Sequence, residues 1–188
     1  MAEESSKKYL LGNDAIAHAC LESGIDFVSG YPGTPSSEVI DRLRTQKDPW
    51  FYLEWSVNEK VAFENALAAS WCGLRSIVTM KHVGLNACAD AFMNSSLLGI
   101  NGGLVVVVAD DPSMHSSQGE QDTRYYADFA MIPCFEPTTQ QEAYEMMFDA
   151  FEVSEKNHVP VIMRMVTRLS HSRAVVHPYS EDKFVKQN

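Results

Sequence analysis

The chain has 188 residues, 45% hydrophobic and 21% charged, which is the balance of one globular domain of ordinary size. A chain of this length buries roughly 70% of its unfolded surface, enough for a core without staples. Its 25 acidic against 15 basic residues leave a formal net charge of -10, which argues against nucleic acid or an anionic membrane as a partner.

The opening stretch MAEESSKKYLLGNDA carries no apolar run of signal-peptide type, and nothing approaches the ~18 residues of a membrane span. Asn13 to Ser23 places Ala15, Ile16, Ala19 and Cys20 on one helical face and stops at Gly24, a C-terminal cap. DFVSGY then reads as a short buried strand broken by PGTPSS, where Ser36 and Ser37 can cap the helix SEVIDRLR. FYLEWS is a second strand and leads into a helix that opens within EWSVNEKVAFENALAAS. That helix lines up Ala62, Ala66, Ala69 and Gly73 as a small-residue stripe, so another element must approach it closely.

SIVTMK, from Ser76, is a third strand, followed by the helix VGLNACADAFMNSSLLG and NGG turn chemistry. LVVVVAD contains five consecutive aliphatic residues, the pattern of a strand covered on both faces. After the polar loop ADDPSMHSSQGEQD come a short helix, YYADFAM, and a longer amphipathic one from about Gln140 to Lys156. PVIMRMVT is the last strand and HPYSEDKFVKQN a polar end. Alternating strands and helices with apolar strands imply an α/β fold: an open, mostly parallel sheet with helices on both faces.

In such a sheet, ligands meet the loops beyond the carboxyl ends of the strands. Four loops qualify: Gly30–Ser37, Glu54–Glu59, Lys81–Asn86 and Asp110–Asp122. The first offers the hydroxyls of Thr34, Ser36 and Ser37 beside a helix start, which suits an anion, although taken alone it is also ordinary turn chemistry. It is not a P-loop, because no Gly-Lys-Ser/Thr follows. Ser56-Val57-Asn58-Glu59 has the S-x-x-E spacing of a capping box, so spacing leaves Glu59 open between helix cap and working acid. Glu64, about 140° further round the helix, is placed on the solvent face, and the role of Glu54 is open. Lys81 and His82 stand where a cation would hold an anionic substrate, or are a solvated lysine and a satisfied histidine. Asp110 and Asp111 suggest capping before PSM more than a metal site. Cys20, Cys72, Cys88 and Cys134 are spread out with no C-x-x-C pair, so isolated buried thiols are expected, with no disulfide framework, no zinc or iron–sulfur site, and a reduced cytoplasmic setting.

Taken together, GYPGTPSSEVID, EWSVNEKVAFENALAASWCGLRSIVTMKHVGLN and GGLVVVVADDPSMHSSQGEQDTRYYADFAMIP resemble the alpha subunits of indolepyruvate ferredoxin oxidoreductases. The likeness runs over residues 9 to 175 and extends to the wider 2-oxoacid:ferredoxin oxidoreductases. It implies the pyrimidine-binding domain of a thiamine diphosphate site over residues 1–178, followed by a polar tail over 179–188. By resemblance, Glu59 is the glutamate that hydrogen-bonds N1′ of the aminopyrimidine. That contact favours the imino tautomer, whose exocyclic nitrogen takes the proton from thiazolium C2. Thr34 matches a threonine near the substrate carboxylate, and Gly84 the stretch passing beside the cofactor. Lys81, His82, His115 and Ser116 are assigned to the substrate side. No metal ligand is expected in this chain.

Pyruvate-specific relatives carry an arginine after the equivalent of VVVVA, where this chain has Asp110 and Asp111. Substrate carboxylate binding is therefore expected to fall to Lys81. The implied reaction is oxidative decarboxylation of an aryl 2-oxoacid to acyl-CoA and CO2, with electrons passing through iron–sulfur clusters to ferredoxin. The diphosphate-binding G-D-G…N segment and cysteine-rich cluster motifs do not occur here, and the family's alpha subunits are much longer. The diphosphate site, Mg2+ and clusters are therefore expected on another domain or chain, in a hetero-oligomer whose isolated member is inactive. Two rival readings are the small subunit of a non-oxidative, sulfopyruvate-type decarboxylase and a cofactor-free interaction domain.

Overall fold

The computed structural model describes residues 7 to 179, so all of the expected tail beyond Tyr179 lies outside the described residues. The chain runs β1 (Lys8–Leu11), α1 (Gly12–Glu22), β2 (Phe27–Gly30), α2 (Ser37–Leu43), β3 (Tyr52–Trp55), α3 (Glu59–Trp71), β4 (Ser76–Lys81) and α4 (His82–Ala87). It continues with α5 (Ala89–Leu98), β5 (Leu104–Asp110), α6 (Arg124–Ala130), β6 (Cys134–Phe135), α7 (Gln140–Asn157), β7 (Val161–Val166), α8 (Thr167–His171) and β8 (Arg173–Val176). Six strands form one sheet in the order β3-β2-β4-β5-β7-β6, with every neighbouring pair parallel.

The apolar run of β5 explains the layering. Val105, Val107 and Ala109 enter one core with side chains of α1, α2 and α7, whereas Leu104, Val106 and Val108 enter the other with those of α3, α4 and α5. Successive strand residues point to opposite faces, so a strand covered on both sides must be apolar at every position. All seven residues of β5 are buried. The alanines of the small-residue stripe are buried as expected, Ala62 and Ala66 fully, and Ser29 of β2 donates its hydroxyl to the Ala62 carbonyl at 2.7 Å. Gly73 is not part of the stripe, because α3 ends at Trp71 and Gly73 is an exposed turn residue with φ +85°. Gly24, with φ +70°, follows the Ser23 cap of α1 in the left-handed conformation expected there.

Several expectations are corrected. The stretch read as one helix over 83–99 is two, because Cys88 departs from helical geometry (φ -101°, ψ 10°) and turns its thiol toward Met80 and Leu85. Thr167, read as the end of the last strand, instead begins α8. β6 is only two residues long, too short to show a pattern. β1 and β8 form a separate antiparallel pair joining Lys8–Leu11 to Arg173–Val176, a partnership between distant segments that neither segment announces alone. Among the cysteines, Cys20 and Cys88 are buried and Cys134 partly so, but Cys72 is exposed, and all four are free thiols. Burial pushes the thiols of Cys88 and Cys134 up to about 12, which keeps both protonated and unreactive.

Phe63 anchors the helix that begins at Glu59. It is fully buried and meets the Phe92 ring edge-on at 5.9 Å between centroids. Phe63→Ala is expected to cost about 3–5 kcal/mol of folding stability, read as a lower denaturant midpoint with an unchanged slope.

Candidate functional site

Parallel pairing brings the carboxyl ends of β2, β3, β4 and β5 to one sheet edge, and the four loops singled out above gather there. Their contacts are direct. Gly33 lies over the stem of Lys81, so close that a Cβ at 33 would stand 3.3 Å from Lys81 Cβ. Ser116 Oγ reaches the Thr34 carbonyl at 3.4 Å, and Lys81 Nζ donates to the Ser116 carbonyl at 2.9 Å. In the first loop, Ser36 donates its hydroxyl to the Gly33 carbonyl and Ser37 accepts from the Gly33 amide, each at 2.8 Å. Neither hydroxyl caps α2; both shape the turn itself.

The second loop separates the three glutamates of EWSVNEKVAFENALAAS. Glu54 is saturated, accepting hydrogen bonds from Tyr52 Oη (3.0 Å), Ser56 Oγ (2.8 Å) and Asn65 Nδ2 (2.7 Å). Burial alone would raise its carboxyl, but those three hydrogen bonds outweigh it and hold the group below its ordinary value. Glu64 is exposed and pairs across one helical turn with Lys60 at 3.7 Å. Such a surface pair contributes little to stability. Glu59 is half-buried, and its carboxylate has no hydrogen bond or ion pair among the described residues.

The capping box does not form. Ser56 still extends the sheet through its amide, which bonds the Gly30 carbonyl at 2.9 Å, so it lies too early to cap the helix. Asn58 caps α3 instead, accepting from the Val61 amide at 2.9 Å with extended backbone (φ -164°, ψ 172°). Glu59 is thus the first residue of α3, where the helix amides favour a negative charge, and its side chain has no structural task.

Gly84, in α4, completes this corner. A Cβ there would meet Glu59 Cγ at 2.5 Å, Oε1 at 2.8 Å and Cδ at 2.9 Å, so the carboxylate rests on the bare backbone of residue 84. His82, two residues earlier, is 1% exposed, and neither ring nitrogen has a hydrogen-bond partner among the described residues. A buried imidazole left so carries a desolvation cost that a bound group or water would relieve.

The fourth loop is organised by carboxylates that the sequence left ambiguous. Asp110 is fully buried and receives Arg164 Nε at 2.6 Å, the Thr123 amide at 3.0 Å and the Thr123 hydroxyl. Arg164 also pairs with Glu136. Asp111, equally buried, receives the amides of His115 and Ser116 and the hydroxyls of Ser116, Ser117 and Thr167. Burial would raise Asp111, but these hydrogen bonds outweigh it and hold the carboxyl far below the ordinary aspartate range. Asp122 is brought down to about 2, chiefly by its hydrogen bonds from the Arg124 guanidinium. Among the described residues, no group of three or more His, Cys, Asp or Glu side chains is arranged to hold a metal ion.

Of the residues singled out from sequence, Glu59 and Gly84 therefore touch, and Thr34, Lys81 and Ser116 form a second contact group. His115 is exposed on the same loop, joined to the group through the Asp111 bond to its amide. His82 is buried beside both groups in the chain. Asp111, Thr167 and Asn58 are the contributors that sequence reasoning missed or misassigned. Two charges directly after a wholly buried strand were a usable signal for the first, because such charges demand partners.

Comparison with known proteins shows the family. Residues 18–188 match the family model described as pyruvate flavodoxin/ferredoxin oxidoreductase, thiamine diphosphate-binding. The chain is 57% identical over 171 residues to indolepyruvate oxidoreductase subunit IorA of Pyrococcus horikoshii, covering 90% of this chain and 26% of that relative. It is 52% identical over 176 residues to the IorA of Methanothermobacter thermautotrophicus, covering 93% and 28%. The 2-oxoglutarate synthase subunit KorA of Methanocaldococcus jannaschii is 25% identical over 186 residues, covering 90% and 48%. The fold matches a solved 2-oxoglutarate:ferredoxin oxidoreductase from Magnetococcus marinus with a TM-score of 0.83 at 21% identity, covering 99% of this chain and 34% of that one. The chain thus spans little more than a quarter of the length of the IorA relatives it matches. On the family match and these identities, the chain belongs to the thiamine diphosphate-binding domains of the pyruvate flavodoxin/ferredoxin oxidoreductase family.

Proposed function

We propose that this chain forms the aminopyrimidine side of a thiamine diphosphate site in an enzyme that oxidatively decarboxylates indolepyruvate or a related aryl 2-oxoacid. The observation that carries this reading is Glu59: a half-buried, unpaired carboxylate on the first turn of α3, resting on Gly84 and free of any capping duty. A lone acid in such a place fits the ring nitrogen of an aminopyrimidine, to which it can share a proton from one of its oxygens. The bare backbone at Gly84 fits the same group, because any side chain there would displace the carboxylate.

When bound, thiamine diphosphate would supply an acidic thiazolium carbon as the nucleophile toward the 2-oxo group and a ring that can hold the electron pair left behind when CO2 departs. The task of Glu59 is to hold a proton against the ring nitrogen N1′, which biases the neighbouring exocyclic amine toward its proton-accepting form. Lys81, clamped under Gly33 and against Ser116, offers fixed positive charge to the substrate carboxylate. Thr34 and Ser116 meet on the same side through the Thr34 carbonyl and the Ser116 hydroxyl, and exposed His115 stands at its rim. The unpartnered nitrogens of His82 offer a further hydrogen bond to whatever fills this edge.

The diphosphate, its Mg2+ and the iron–sulfur clusters are assigned to another domain or chain, in a hetero-oligomer that passes electrons to ferredoxin and the acyl group to CoA. A reducing cytoplasmic setting suits that chemistry, and no described helix is long and apolar enough to cross a membrane.

Glu59→Gln in the assembled enzyme tests the reading directly. Turnover is expected to fall by roughly 100-fold or more, the scale of a lost acid–base contact, with the assembly and its cluster absorbance retained. Turnover close to that of the parent enzyme would remove Glu59 from the chemistry. For substrate binding, Lys81→Ala is expected to raise KM for the oxoacid roughly tenfold or more, the scale of one charge-assisted hydrogen bond, while kcat changes little. An unchanged KM would take Lys81 out of the substrate site.

A further inference from the structure

Lys81 is a long, flexible side chain, and on its own its ammonium would sample many positions. In this fold it is held at both ends. Gly33 covers the stem, and the Ser116 carbonyl receives Nζ at 2.9 Å. The position of that carbonyl is therefore what decides where the remaining ammonium hydrogens point.

The Ser116 carbonyl belongs to an exposed loop segment. Its anchor is a single buried carboxylate. Asp111 Oδ1 accepts the His115 amide at 3.2 Å and the Thr167 hydroxyl at 2.6 Å. Asp111 Oδ2 accepts the Ser116 amide at 2.7 Å, the Ser117 hydroxyl at 2.6 Å and the Ser116 hydroxyl at 3.3 Å. Thr167, at the start of α8, fixes the other side of the carboxylate to the sheet, and its hydroxyl also reaches the Asp110 carbonyl at 3.3 Å.

We infer that Asp111 is a positioning residue for substrate: by gripping the backbone of 115–117 it sets the Ser116 carbonyl that aims Lys81 Nζ at the carboxylate of the 2-oxoacid. The inference rests on the reading that Lys81 receives that carboxylate. The aspartates point into the fold, and one of them organises a lysine from the neighbouring strand to face outward. The buried charge is satisfied by hydrogen bonds from neutral donors, so the Lys81 charge is not neutralised by it.

The carboxylate is specifically required. An asparagine has one acceptor edge and one donor edge, and both edges of Asp111 face a backbone N–H. Either orientation of the amide leaves one of those N–H groups opposed by another donor.

The test is a double-variant cycle in the assembled enzyme, with hydrogen exchange of the segment 112–121 as a second readout. Asp111→Asn is expected to speed exchange in that segment and to raise KM for the oxoacid roughly tenfold, with kcat within about threefold of the parent. In a Lys81→Ala background, Asp111→Asn is expected to raise KM no further, because the group it positions is already gone. Ser117→Ala, which removes one bond to Oδ2 and leaves both backbone amides held, is expected to give a smaller KM increase with the same non-additivity. It serves if Asp111→Asn fails to assemble. Faster exchange with an unchanged KM would reduce Asp111 to a structural anchor and overturn the inference. So would KM increases that multiply in the double variant. If Lys81→Ala alone leaves KM unchanged, the Lys81 reading itself has failed, and a KM effect of Asp111→Asn would then have to act through another group.

Discussion

Strands β2, β4, β5 and β7 hydrogen-bond side by side in the same direction, with β3 and β6 extending the run at either end. Two consequences follow from that one constraint. Parallel strands need crossovers that lie over the sheet, so both faces are covered and the central strands must be apolar throughout. Every strand also ends at the same edge, so loops far apart in sequence meet there without any contact designed between the strands themselves. The contacts of Gly33 with Lys81, Lys81 with Ser116, and Glu59 with Gly84 all exist because of this shared edge.

The edge is also where the chain spends its polar groups. Asp110 and Asp111 are buried at the end of a strand with no other polar side chain, a placement that is unfavourable unless every lone pair is met. Asp110 is met by Arg164 and Thr123, which fastens the start of α6 to the sheet. Asp111 is met by the loop that follows it and by Thr167. Glu54 is likewise saturated, tying the end of β3 to α3 through Asn65. Against these satisfied carboxylates, Glu59 has no hydrogen bond or ion pair among the described residues, and neither has the buried imidazole of His82. Buried or half-buried groups left unmet beside carboxylates that are fully met are what the proposed cofactor site rests on.

Much of this was legible beforehand where the signal is local and repeated. The uninterrupted LVVVV run announced a doubly covered strand, the alanine spacing of α3 announced a close neighbour, and Gly24 announced a helix end. The failures share a cause. β1 and β8 are four residues each and pair across most of the chain length, so neither segment is long enough to show a strand's periodicity by itself. The break at Cys88 and the start of α8 at Thr167 interrupt patterns that continue through them, because tertiary contacts outweigh local preference there. At the site, S-x-x-E spacing suggested a cap at Ser56, but the spacing does not reveal that Ser56 is still paired to β2 through its amide.

The sequence by itself determined the layer architecture, the sheet edge at which the four loops gather and, through its likeness to a family, the chemistry to look for there. These follow from periodicity and motif, which are properties of short segments. Only the tertiary structure decided which glutamate is left unpaired among the described residues, which aspartates are anchors, and that Lys81 is tied to the Ser116 carbonyl. Those are questions of partnership between side chains brought together by the sheet, and a partner distant in sequence leaves no local trace. Among the described residues Glu59 is left unpaired, with Asn58 capping α3 in its place and Gly84 making room for it, and neither fact exists until the strands have paired.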